Sequence, residues 1–145
     1  TELLRENAAL LYADVEEKQM EFEIDIPEEP IELMVDRLQM SRVITNLINN
    51  ALKHNDKNTT ITLMMQQVKE GLQVIVKDNG VMIDPILADH IFEPFVIADA
   101  SRESKSGSGL GLSIAKKIVE MHGWTIELKQ DFERCEKSFV INIRK

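Results

Sequence analysis

DRLQMSRVITNLINNALKH, Asp36 to His54, is the stretch that decides the fold. Met40, Ile44, Leu47, Ile48 and Ala51 recur at spacings of three and four, which winds them onto one face of a helix that a core must cover. Asp36 is its expected N-cap. A helix with one apolar face needs a second layer, and the chain on either side supplies it. Upstream, Leu3, Leu4, Leu10, Leu11, Val15 and Met20 give another helical face running to about Lys18, FEIDIP (Phe22 to Pro27) alternates as a strand, and a short strand is expected over Ile31 to Val35. Downstream, Thr60 to Val68 and Leu72 to Lys77 read as a hairpin across Lys69, Glu70 and Gly71. A short helical stretch at Pro85 to Ile91 is followed by a clear helix over Leu110 to Met121, stopped by Gly123, and by closing strands at Trp124 to Lys129 and Ser138 to Ile143. The sum is an α/β domain: a two-layer sandwich in which a mixed or mainly antiparallel sheet is covered on one face by helices.

Composition narrows the function. The 145 residues carry a formal net charge of -8, and their lysines and arginines are scattered, which speaks against nucleic acid as the partner. Cys135 is the one cysteine, so no internal disulfide forms, in keeping with a reducing cytoplasm. No apolar run approaches the roughly 20 residues that span a bilayer, so no membrane contact is expected of this stretch. The chain opens at Thr1 and not at methionine, and it is read as a piece of a longer protein whose full length could carry a membrane anchor.

Three clusters carry chemistry. Taking about 100° per residue, Asn46, Asn50, Lys53 and His54 share one arc of the long helix, away from its apolar face. An amide oxygen from Asn50 suits magnesium, which prefers oxygen and is often held by one or two side chains plus substrate phosphates. Lys53 adds a point charge toward phosphate. The same residues would also make an ordinary solvated face. Asp78, Asn79 and Gly80 end an apolar strand, where a carboxylate can accept from an exocyclic amine such as that of adenine; alone, this is equally a turn. In SGSGLGLSIAKK, Gly107, Gly109 and Gly111 lead into a helix whose first amides lack partners, a phosphate cradle or a flexible glycine-rich linker. The order GK[ST] of a P-loop is absent.

Together and in this order the clusters resemble the boxes of the histidine-kinase ATPase domain, within the gyrase, heat-shock chaperone, histidine kinase and mismatch-repair superfamily. NLINNALKH (Asn46 to His54) resembles the N box, VKDNG (Val76 to Gly80) the first glycine box, FEPF (Phe92 to Phe95) the F box, and GSGLGLSIAKKIVEMHG the second glycine box with its helix. The resemblance implies a Bergerat-type ATP-binding fold over residues 20–145 with an ATP lid at about 92–109, and residues 1–19 as a helix leading from a dimerisation domain upstream. It implies ATP and Mg2+ as cofactors, with Asn50 on the metal and Asn46, Asn50 and Lys53 as the catalytic group. His54 and Lys53 face phosphates, Asp78 holds the adenine amine, and Gly80, Met82 and Ile83 line the base slot. Phe95 and Arg102 belong to the lid, Gly107, Gly109, Leu110, Gly111 and Leu112 hold the phosphate chain, and Ser138 assists Asp78.

The implied function is transfer of the γ-phosphoryl group to a histidine on the dimerisation domain of the same protein, with a response regulator downstream. None of His54, His90 and His122 lies in the setting of the family's acceptor. Asn46 separates this from a serine-directed anti-sigma kinase, which resembles the chain in length but carries glutamate at that place: water or a serine hydroxyl must lose a proton, whereas a neutral imidazole already has a lone pair. Met82 stands where the family continues with a further glycine, and Val96 and Ile97 follow the F box where an aromatic and an arginine are common. These departures keep a third reading open, a degenerate module that binds nucleotide weakly or only docks.

Overall fold

The computed structural model describes residues 1–94 and 110–144. In chain order the elements are α1 (Glu2–Glu17), β1 (Glu21–Asp25), α2 (Arg37–His54), β2 (Thr60–Val68), β3 (Gly71–Asp78), α3 (Pro85–Ala88), α4 (Gly111–Met121), β4 (Thr125–Asp131) and β5 (Glu136–Arg144). The strands form one sheet in the order β1-β2-β3-β5-β4. β1 runs parallel to β2 because α2 makes the crossover between them, and the remaining pairs are antiparallel. The sheet is mixed, and its helix-bearing face is where the core sits.

That face follows from the period of two along each strand. Leu72, Val74 and Val76 of β3 stand opposite Ile143, Ile141 and Phe139 of β5, and all six are buried. Against them α2 sets Val43, Ile44, Leu47 and Ile48, and α4 sets Ala115, Ile118 and Val119. Each valine, leucine, isoleucine or phenylalanine side chain so withdrawn from water contributes on the order of 1.5 to 3 kcal/mol. The Asp36 carboxylate accepts from Gln39 N at 3.0 Å and so caps α2 as the sequence leads one to expect. α4 stops at Met121, and Gly123 just beyond its cap takes a φ of 80°, the left-handed conformation that glycine adopts without strain.

Two local expectations fail, each for a visible reason. Ile31 to Val35 is not a strand: Ile31, Leu33 and Val35 are half-buried while Glu32 and Met34 are exposed, so the alternation is present, but the backbone joins no ladder. Alternation reports burial, and hydrogen bonding needs a free strand edge as well. Leu10 is 77% exposed, although Leu4, Ala8, Leu11 and Val15 of the same helix are buried. Helical geometry puts Leu10 about 120° round from those four. α1 therefore packs its apolar stripe into this domain's own core, and Asn7 fixes it to α2 through a hydrogen bond from Nδ2 to Ser41 Oγ of 3.2 Å.

Candidate functional site

α2 touches both of the other clusters. At its middle, Asn46 Nδ2 donates to the Gly111 carbonyl at 3.2 Å, the first residue of α4. Just past its end, the buried Asn55 accepts from Val81 N at 2.8 Å, in the turn that follows Asp78, and donates to Ala51 O at 2.9 Å. Nine helical steps separate Asn46 from Asn55, a rise of about 13 Å along α2. Asn50 lies between them, half-buried, and its amide has no hydrogen-bond partner among the described residues. An unengaged amide oxygen fits magnesium, which takes oxygen ligands and fills the rest of its shell with water and phosphate. Among the described residues no group of three or more His, Cys, Asp or Glu side chains could hold a metal. Lys53 is exposed and His54 half-buried on the same last turn.

Among the described residues no side chain caps the α4 N-terminus: Leu110 is the N-cap residue, and Ser113 Oγ turns back to its carbonyl at 2.9 Å. The first-turn amides of α4 lack intrahelical acceptors, which suits an anion. Leu112 is buried beneath this turn. Gly107, Gly109, Phe95 and Arg102, with most of the lid, lie outside the described residues.

Asp78, at the end of β3, is 3% exposed. Its Oδ1 accepts from Gly80 N at 3.0 Å, which closes the turn. Gly80 is required for space: a Cβ there would stand 2.1 Å from Asn55 Oδ1. Ile83 is buried, and the Gln130 side chain brackets its backbone, accepting from N at 2.8 Å and donating to O at 3.0 Å. Met82 is half-buried beside it. Phe92 meets Phe139 edge-on at 5.9 Å, so the start of the F box is anchored on the core.

The placement of Ser138 corrects the sequence reading. The register sets Ser138 opposite Lys77 and Lys137 opposite Asp78. Successive residues of a strand point to opposite faces, so Ser138 stands on the face away from Asp78. The β5 residue that meets Asp78 is Lys137, whose Nζ lies 2.9 Å from Oδ1. Sequence reasoning missed Lys137, Asn55 and Gln130. For Lys137 a signal was present, since Lys137, Phe139, Ile141 and Ile143 continue one period-two face, and a lysine in line with core residues needs a carboxylate.

Comparison with known proteins agrees with this geometry. A family model described as histidine kinase-, DNA gyrase B- and HSP90-like ATPase matches residues 35–144. The chain is 39% identical over 101 residues to the sensor histidine kinase YvrG of Bacillus subtilis, covering 70% of this chain and 17% of that protein. It is 35% identical over 114 residues to the alginate biosynthesis sensor protein KinB of Pseudomonas aeruginosa, covering 79% and 19%. The nucleotide-free catalytic domain of histidine kinase ThkA superposes with a TM-score of 0.83 at 27% identity, over 99% of this chain and 90% of that one. ThkA in complex with the response regulator protein TrrA matches with a TM-score of 0.80 at 27% identity, over 99% and 40%. The chain thus spans about a fifth of the length of these two curated relatives.

Proposed function

Because the chain belongs to the histidine kinase-, DNA gyrase B- and HSP90-like ATPase family and has the fold of a histidine kinase catalytic domain, we propose that it binds Mg-ATP and transfers the γ-phosphoryl group to a histidine. The acceptor sits on a dimerisation domain of the same protein, and a response regulator receives the group next. The observation that carries this reading is the position of Asn50 on α2, without a hydrogen-bond partner among the described residues, between the start of α4 and the Asp78 turn.

Phosphoryl transfer asks little covalent chemistry of the protein, so its residues act by position and charge. Asp78 takes the adenine amine, and the walls of Met82 and Ile83 flank the base. The first amides of α4 meet the phosphate chain, and Lys53 adds positive charge beside it. Asn50 holds Mg2+, which neutralises charge on the phosphates when bound. Asn46, bonded to a backbone carbonyl, carries no base, which suits an imidazole acceptor better than water or serine. Gly107, Gly109, Phe95 and Arg102 are assigned to the lid by the same reading.

Radioactive γ-phosphate from ATP tests it. The isolated chain is expected to stay unlabelled and to label an added dimerisation domain of its own protein, giving an acid-labile, base-stable product. Acid-stable phosphoserine on a partner would contradict it.

A further inference from the structure

Under the turn that carries Asp78 lies a buried cation that the proposed chemistry does not use. Lys137 is 2% exposed. Its Nζ bonds Asp78 Oδ1 at 2.9 Å, Asn55 Oδ1 at 3.1 Å and the carbonyl of Val81. An ammonium has three protons and no lone pair, so every donor of Lys137 is consumed inside this network. Asp78 Oδ1 also takes Gly80 N. Two donors on one oxygen fix the rotation of the carboxylate, and among the described residues Oδ2 accepts nothing. The Lys137–Asp78 pair therefore has one acceptor oxygen to offer a ligand, and no donor.

We infer that Lys137 is the positioning residue that sets the base preference of the site. Saturated on Asp78 Oδ1, Asn55 and Val81, it presents Asp78 Oδ2 alone, an acceptor for a purine with an exocyclic amine and a poor neighbour for a purine with a carbonyl there. Burial strengthens the bond that Oδ2 makes. The same three contacts reach from β5 to the turn after β3 and to the residue that ends α2, so one side chain sets both the turn and the carboxylate. The inference rests on the ATP reading above.

The test compares dissociation constants of ATP, inosine triphosphate and purine riboside triphosphate, all with Mg2+, for the wild-type chain, Lys137→Met and Lys137→Gln. One charge-assisted hydrogen bond corresponds to a preference of about tenfold to a hundredfold for ATP in the wild type, expected to narrow to within about threefold in both variants. Folded variants that keep the wild-type ratio, or that bind ATP more tightly, overturn the inference, because Lys137 is then a spacer or a competitor of the base. A measurement on the wild type needs no variant: the Lys137 ammonium resonance should be protected from exchange and persist at saturating ATP. Its absence, or its loss on adding ATP, also overturns the role. A wild-type chain that binds no nucleotide overturns the ATP reading itself, a different result from nucleotide binding with an unchanged ratio.

Discussion

The amide of Asn46 donates to the carbonyl of Gly111 across 3.2 Å, so the middle of α2 holds the first residue of α4. Asn46→Ala removes that tie at a cost of about 0.5 to 1.5 kcal/mol, and frees the end of the glycine-rich segment. Denaturant unfolding together with ATP titration should show a modest loss of stability and a clear loss of affinity. Asn46→Glu sets a carboxylate against a carbonyl, two acceptors face to face, and should cost more than the alanine. Unchanged affinity in both variants would remove this contact from the account of the site.

Gly80→Ala tests the packing of the base turn. The added Cβ would lie 2.1 Å from Asn55 Oδ1 and 2.9 Å from Asn55 Cβ, and Asn55 cannot swing away because Val81, Ala51 and Lys137 hold its side chain. Overpacking of this kind costs about 1 to 3 kcal/mol. Thermal unfolding should show Tm falling by several degrees, with nucleotide affinity falling in parallel. A neutral Gly80→Ala would mean that the turn and Asn55 move apart freely.

Much of this was legible in the sequence, for physical reasons that also mark where legibility ended. The apolar spacing of α2 and α4 and the alternation of β2 and β3 are local, so those elements stand within a residue or two of where the pattern puts them. The cap at Asp36 and the stop at Gly123 are local too. Ile31 to Val35 failed because side-chain alternation carries no information about strand partners. Lys137 failed because its burial depends on Asp78, 59 residues earlier in the chain, and beginning β5 at Ser138 took the wrong member of the pair toward the site. Asn55 and Gln130 serve backbone groups of distant segments, which no spacing reveals.

Met82 is half-buried beside the bracketed backbone of Ile83. If the base binds as proposed, a thioether there takes room next to it, and Met82→Gly is predicted to tighten ATP binding by roughly 10-fold to 100-fold, equivalent to about 1 to 3 kcal/mol of relieved crowding. A titration of ATP against both chains, with folding checked by circular dichroism, decides it. Equal or weaker binding by a folded glycine variant would show that methionine is accommodated and would take away the main support for a degenerate module.

Asn50 is proposed to hold magnesium for a nucleotide bound along α2. A ligand bound by the folded state alone raises stability by mass action, about 2.7 kcal/mol at a hundredfold excess over Kd, so Tm reads binding directly. Millimolar ATP with Mg2+ is expected to raise Tm of the wild-type chain, chelation of the metal to remove most of the rise, and Asn50→Ala to abolish the metal-dependent part while its Tm without ligand stays near wild type. A Tm that does not move with Mg-ATP, or an Asn50→Ala chain that keeps the full metal-dependent rise, would contradict it.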